Sequence, residues 1–409
     1  MTFFGVMRLP RSVLFGAGQR KAIGAIAAQI GNRALICTDA RFGSDSELRN
    51  IVANLTQCGV TTEVFDQTPP EVPLESIDGC VKQAAAFSPR LVIGIGGGSC
   101  MDMAKVVALL LTHGGGVRDY YGEFKVPGPT LPVIAVPTTS GTGSEVTPVA
   151  VIGDTERNLK VGIASPYLIA HAAVCDPELT LGCPPSLTAT CGADALTHAI
   201  EAFTAGPRQA DPLLPLQNVF VGKNALSDHF ASLAISSIWT SLRCAYNNGS
   251  DVEARERMML GALAAGCAFG VAGTALAHAL QYPIGAATHT PHGVGVATLL
   301  PYVMEFNRPS CVKAFADIAR LIQVGDAKSS EEELSYRAVD AVASLFESVG
   351  IPRTLRDLGL PADQQMWTAE RGFAVTRLVK NNPREADLSA MQAITKAAFS
   401  GNRTSLRHA

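Results

Sequence analysis

The chain has 409 residues, 47% of them hydrophobic and 17% charged, and a formal net charge of −3. This length supports two or three domains with sizeable cores, and without a Lys/Arg block neither nucleic acid nor an anionic membrane is expected as a main partner. No run of about 18 apolar residues lacks a polar break, so no membrane-spanning helix is expected.

The opening Met1-Thr-Phe-Phe-Gly-Val-Met-Arg-Leu-Pro10 lacks the basic segment and long apolar stretch of a signal peptide. Arg33–Thr38 reads as a strand, Ser46–Cys58 as a helix with apolar spacing, and Thr61–Phe65 and Leu91–Ile95 as further strands. Leu131–Val136 is a fourth. Strands spaced by helices imply a parallel sheet covered on both faces. Ala150–Ile152 and Leu159–Ile163 flank Gly153-Asp154 and read as a β-hairpin added to that sheet.

The third strand runs into Gly96-Gly-Gly-Ser99 and then the apolar Met101–Leu111. In this strand, glycine turn and helix, free N–H groups and a positive dipole end can meet a phosphate; three glycines can also simply make a tight turn. Ser99, with Asp102 three residues on, fits a helix cap. Asp39 ends the first strand, where it could accept bonds from a ribose 2′-OH or cap the following turn. Pro137–Thr147 is rich in hydroxyls and glycine and follows a strand, so it falls on the sheet edge that carries the glycine turn. Asp176-Pro177 closes the last β-like run, Ala173–Cys175. After Pro184-Pro185 the strand signals stop and Ala/Leu-rich helical runs take over. A boundary at 182/183 is expected, giving domains 1–182 and 183–409. Gly206–Val221, with three prolines, reads as a long loop before a helix that starts near Ser227.

In the second half, Asp194 and His198 are spaced i, i+4 in an Ala-rich helix, on one face. His278 ends another apolar helical run, and His292 follows Thr290-Pro291. One carboxylate and three imidazoles suit zinc or ferrous iron; an Asp and a His one turn apart also commonly form only a hydrogen-bonded pair. Ten cysteines are scattered without a Cys-x-x-Cys pair. Those in apolar runs (Cys37, Cys191, Cys267) read as reduced core thiols of a cytoplasmic protein.

Together, Phe15-Gly-Ala-Gly18, Gly96–Lys105, Pro137–Glu145, Asp176-Pro-Glu-Leu179, Gly192–Glu201, Pro291-His-Gly293 and Asn382-Pro-Arg384 resemble the iron-containing (group III) alcohol dehydrogenase family along essentially the whole chain. The resemblance implies a Rossmann-like, dehydroquinate synthase-like α/β domain followed by an all-α metal-binding domain. It puts metal ligands on Asp194, His198, His278 and His292, and nucleotide contacts on Asp39, Gly97, Gly98, Ser99, Thr138, Thr139, Ser144 and Lys160. Tyr282 stands where many members carry a second histidine thought to relay the proton. It and the Pro-rich stretch after Thr204 are similar to the hydroxyacid-oxoacid transhydrogenase branch.

The expected activity is NAD-linked hydride transfer with a small alcohol or hydroxyacid on a divalent metal, Fe2+ or Zn2+. Tyr282 or His289 could lie on the proton path; Tyr282 could equally be only a wall of the substrate pocket. A transhydrogenase would need a carboxylate anchor, for which Arg208 is a candidate. A metallohydrolase could use the same ligands but has no need of a dinucleotide site, and a non-catalytic nucleotide-binding protein leaves the ligands unexplained. A homodimer or higher homo-oligomer is expected.

Overall fold

The computed structural model describes residues 4–157, 159–326 and 328–408; the first three residues of the amino-terminal stretch read above lie outside them. The chain forms two compact units. One is Arg8–Gly182 with Pro215–Val219; the other comprises 183–214, 220–408 and residues 4–7. Two short segments thus depart from a single boundary at 182/183. The Arg8 guanidinium donates to the carbonyls of Pro215 (2.5 Å) and Val219 (2.6 Å), fixing that piece on the first unit. The Ala225 N–H donates to the Phe4 carbonyl (3.1 Å) in the second.

The first unit is α/β. Its strands are β1 (Ser12–Phe15), β2 (Arg33–Cys37), β3 (Thr61–Phe65), β4 (Leu91–Gly96), β5 (Gly122–Glu123), β6 (Val133–Pro137), β7 (Val149–Asp154), β8 (Leu159–Ala164) and β9 (Ala172–Cys175). Its helices are α1 (Ile23–Ile30), α2 (Ala40–Gly43), α3 (Ser46–Gln57), α4 (Leu74–Phe87) and α5 (Gly98–His113). Six strands make one parallel sheet in the order β1-β9-β6-β4-β2-β3. Period-2 alternation splits their side chains between two cores. Leu35, Cys37, Val92, Val133 and Ala135 face one core, and Ala34, Ile36, Leu91, Ile93, Ile134 and Val136 the other. Both faces are buried, so the strands read as unbroken apolar runs.

The expected hairpin exists but does not join that sheet. β7 and β8 pair antiparallel, and with β5 they form a separate three-stranded sheet. The cause is polar. The Val151 N–H of β7 donates to Asp102 (2.9 Å), and the Val149 carbonyl accepts from Lys105 (2.9 Å), both on α5. The free edge of β7 is therefore spent on a helix. Nor does Gly153-Asp154 form the turn: both are paired strand residues, and Thr155–Arg157 is a 3-10 turn. Asp154 instead accepts two bonds from Arg118 (2.8 and 2.9 Å).

The second unit is helical: α6 (Pro185–Thr204), α7 (Leu214–Gln217), α8 (Ala225–Asn247), α9 (Val252–Ala272), α10 (Leu276–Thr288), α11 (His292–Leu321), α12 (Glu331–Ser348), α13 (Gln365–Phe373), α14 (Thr376–Lys380) and α15 (Leu388–Ser400). α7 belongs to it through Leu214 only. α6, α8, α9, α10 and α11 share one core of small and branched residues. α8 starts at Ala225, two residues before Ser227, because Asn224 caps it with its side-chain oxygen. No single helix among the described residues is long and apolar enough to cross a membrane.

His278 does not end a helical run; it sits in the first turn of α10. The run breaks at Gly273, whose φ of +81° suits glycine. α9 and α10 meet there with a bend of 102°. The Asn381 side chain holds the corner by donating to the Ala272 (2.9 Å) and Thr274 (3.1 Å) carbonyls. The break turns His278 toward α6.

Candidate metal and nucleotide sites

Three helices supply the histidine cluster. α6 carries Asp194 and His198 one turn apart, α10 carries His278, and α11 opens on His292. Asp194, His198 and His278 are buried and His292 is half-buried. Three imidazole nitrogens approach one carboxylate oxygen. His198 Nε2 lies 3.9 Å, His278 Nε2 4.0 Å and His292 Nε2 4.0 Å from Asp194 Oδ1. Donor atoms of Asp194, His278 and His292 all fall within 4.8 Å of one another. His198 is stacked between Phe269 (centroids 4.1 Å apart) and His278 (4.7 Å).

These residues fit a cation. A divalent transition ion sits about 2.0–2.2 Å from nitrogen and oxygen ligands, so donors sharing it can be at most about 4.4 Å apart. The three separations from Asp194 Oδ1 meet that limit, while the mutual 4.8 Å grouping takes in Asp194, His278 and His292 but not His198. His278 Nε2 is buried and makes no hydrogen bond among the described residues, an arrangement that costs free energy unless something binds the lone pair. Its other nitrogen, Nδ1, lies 2.6 Å from Glu201.

Tyr282 lies beside this cluster, half-buried, its ring centroid 6.3 Å from that of His292. Burial raises its phenol pKa, an effect the nearby Arg377 partly opposes. His289 is exposed at the left-handed carboxyl end of α10. Arg208 runs alongside Gly222 in the loop after α6, where Pro207 bridges to Lys223.

The second candidate site lies at the β4–α5 turn. α5 begins at Gly98, capped by Gly97 with no side-chain bond. Ser99 is thus inside the helix and is not its cap. The entry comes early because Gly96 adopts φ +150°, where a Cβ would stand 2.4 Å from Cys100 Sγ. A Cβ on Gly98 would stand 2.7 Å from Thr142, so the hydroxyl-rich loop lies against the helix start. Thr139 approaches Gly97, and the Thr138 N–H donates to the Gly96 carbonyl (2.9 Å). Asp39 is close by: its Oδ1 accepts the Phe42 N–H (2.8 Å), capping α2, while Oδ2 lies 4.0 Å from Cys100 Sγ.

The remaining residues of this group are engaged with the protein. The Ser99 hydroxyl accepts the Glu71 N–H (3.2 Å), and the Glu71 carboxylate pairs with Lys160 (2.5 Å). The Ser144 hydroxyl donates to Asp102 (2.6 Å) and accepts from Lys105 (3.1 Å). Lys105 is fully buried and also donates to the Ser144 (2.6 Å) and Thr147 (2.9 Å) carbonyls. Burial lowers its pKa to about 8 and raises those of Asp102 and Glu145, the latter to about 7; the charges of Lys105 and the two acids partly oppose this.

Sequence reasoning missed Lys105 and Glu201 as working residues. A lysine inside Met101–Leu111 was the signal for the first. For the second it was the spacing: Glu201 lies three residues after His198 and seven after Asp194, on the same helical face. Of the thiols named above, Cys37 and Cys267 are buried but Cys191 is only half-buried.

Comparison with known proteins agrees with the fold. Residues 10–177 match the family model for iron-containing alcohol dehydrogenase, and 188–399 match that for the C-terminal part of the Fe-containing alcohol dehydrogenase family. Long-chain-alcohol dehydrogenase 1 of Geobacillus thermodenitrificans is 39% identical, over 90% of this chain and 89% of that one. The sulfoacetaldehyde reductase of Bilophila wadsworthia is 31% identical, over 95% and 97%. The structure of an Oenococcus oeni alcohol dehydrogenase superposes with a TM-score of 0.90 at 29% identity, covering 97% of this chain and 100% of that one. The chain belongs to the iron-containing alcohol dehydrogenase family and is an oxidoreductase of that type.

Proposed function

We propose that the protein is a metal-dependent, NAD-linked alcohol dehydrogenase that transfers hydride reversibly between a small alcohol or hydroxyacid and NAD. In this reading residues 183–409 hold the metal and residues 1–182 the dinucleotide. The observation that carries it is the approach of three imidazole nitrogens to within 4.0 Å of Asp194 Oδ1. Asp194, His198, His278 and His292 would hold the ion, Fe2+ first and Zn2+ second. When bound, such an ion supplies a Lewis acid that lowers the pKa of an alcohol and polarises a carbonyl.

The chain's own residues do the rest. Asp194 would bring one negative charge to three imidazole donors, a set that suits a divalent cation. Phe269 and His278 lock the His198 ring by stacking. On the first unit, the N–H groups at the start of α5 would receive phosphate oxygens, with Thr138 and Thr139 beside them. Asp39 would meet the adenosine ribose, and its charge would disfavour a 2′-phosphate there. Tyr282 forms a wall of the substrate pocket next to His292. A cytoplasmic location and a homodimer complete the proposal.

The names of two relatives, a long-chain-alcohol dehydrogenase and a sulfoacetaldehyde reductase, recommend a broad substrate panel. The test is NADH formation across short alcohols, diols and hydroxyacids, with metal measured in the purified protein. His198→Ala should lose bound metal and at least 100-fold in kcat/KM. Stoichiometric metal retained in all four single ligand variants would defeat the assignment.

A further inference from the structure

α10 begins without a cap of its own. Its N-cap residue is Ala275, which has no side chain to offer the exposed N–H groups of the first turn. A carboxylate from another helix takes that place. Glu201 Oε2 accepts the Ala275 N–H (2.8 Å) and Oε1 the Ala277 N–H (2.8 Å). Oε2 also lies 2.6 Å from His278 Nδ1. Glu201 is 3% exposed, so water does not compete for these bonds.

We infer that Glu201 is a positioning residue for the metal centre: it caps α10 and fixes His278 as the Nδ1–H tautomer, leaving the Nε2 lone pair directed at Asp194. The inference rests on the reading that Asp194, His198, His278 and His292 share an ion. A carboxylate only accepts, so Nδ1 must donate. The same carboxylate ties the imidazole to the backbone of its own helix, so ring orientation and helix start are fixed together. Partners of this kind around metal-binding histidines are typically worth 10–100-fold in metal affinity.

Glutamine separates this role from packing. It matches glutamate in shape but offers one accepting oxygen, and its NH2 group can only donate. Three donors converge on the carboxylate. With glutamine a backbone N–H faces another donor in either orientation: that of Ala277 if the amide oxygen keeps the Ala275 and His278 bonds, or that of Ala275 if it keeps the Ala277 bond, in which case His278 also turns over its tautomer and points Nε2–H at the metal site.

The experiment uses the full-length enzyme, stripped with a chelator and titrated with Zn2+ against a chromophoric competitor. Glu201→Gln should bind Zn2+ 10–100-fold more weakly than the wild type with unchanged helix content by circular dichroism. Affinity within threefold of wild type would overturn the inference. In parallel, 15N-histidine NMR of the stripped wild type should show His278 protonated on Nδ1; protonation on Nε2 would overturn it equally. The tautomer decides the matter should Glu201→Gln fail to fold. A wild type that takes up no metal refutes the ligand assignment instead, and the tautomer still tests Glu201.

Discussion

At the scale of single residues, Asp39 shows how one carboxylate can serve twice. Its Oδ1 caps α2 through Phe42, and its Oδ2 remains beside the glycine turn, 3.7 Å from where a Gly96 Cβ would be. Both readings of this residue from sequence are therefore compatible, since each uses a different oxygen. The substitution that separates them is Asp39→Asn. Asparagine caps helices as well as aspartate does, so α2 should persist while the charge is lost. The expected result is about a tenfold fall in the ratio of kcat/KM for NAD over NADP, roughly 1.4 kcal/mol, with thermal stability nearly unaltered. A wild-type enzyme that prefers NADP would refute the charge argument. Tyr282 calls for a different split. As a pocket wall, it predicts that Tyr282→Phe changes KM among substrates, most for acids, and leaves the pH dependence of kcat in place. A uniform fall in kcat with a displaced basic limb would assign it the proton.

At the scale of elements, the loop between β6 and β7 depends on charges buried in α5. Lys105 grips the carbonyls of Ser144, Thr147 and Val149, and Asp102 binds Ser144 and Val151. Glu145, 3% exposed in the same loop, has its pKa raised to about 7 by burial. The folded protein therefore holds a proton on Glu145 that the unfolded chain releases near pH 4.5. Its contribution to stability is full below pH 4.5 and is lost as pH rises through 7. Glu145→Gln should remove that dependence and gain stability over wild type above pH 7, on the order of 2 kcal/mol, read from urea midpoints at pH 5 and pH 8. An unchanged difference between the two pH values would refute the assignment. This network also explains what was hard to read in the sequence. The strands β2, β3, β4 and β6 and the helix α3 declare themselves in the local sequence, whereas β5 does not. The fate of the β7–β8 hairpin does not, because it is decided by Asp102 and Lys105, some 50 residues away, whose polar groups outbid a sheet edge for β7. The break before α10 was hidden likewise: Gly273 is one glycine among many, and the residue that holds its corner, Asn381, lies 109 positions from Ala272.

At the scale of the whole molecule, the two candidate sites are built from opposite materials. The α/β unit offers backbone N–H groups and glycines at the ends of parallel strands. The helical unit offers side chains from three helices, joined by Asp194. The second kind was legible as residue types and spacings, Asp194 to His198 above all, although nothing in the sequence said that α10 must turn through 102° to present His278. The proposal accordingly assigns metal and NAD to different units, and hydrogen exchange tests that division. A ligand at 100 times its Kd stabilises the state that binds it by about 2.7 kcal/mol, so amides that exchange only when a site opens should slow by up to about 100-fold. Stripping the metal should speed exchange in 194–204, 275–282 and 292–298, around Glu201 and the three helix segments that carry the ligands. NAD should slow it in 37–42, 96–102 and 138–147, where Asp39, the glycine turn and the Lys105-anchored loop lie. Each ligand added alone should leave its footprint in its own set of segments. A metal footprint confined to 96–102, or an NAD footprint confined to 275–282, would reverse the assignment of the two sites, because a bound ligand protects most strongly the backbone whose opening would release it.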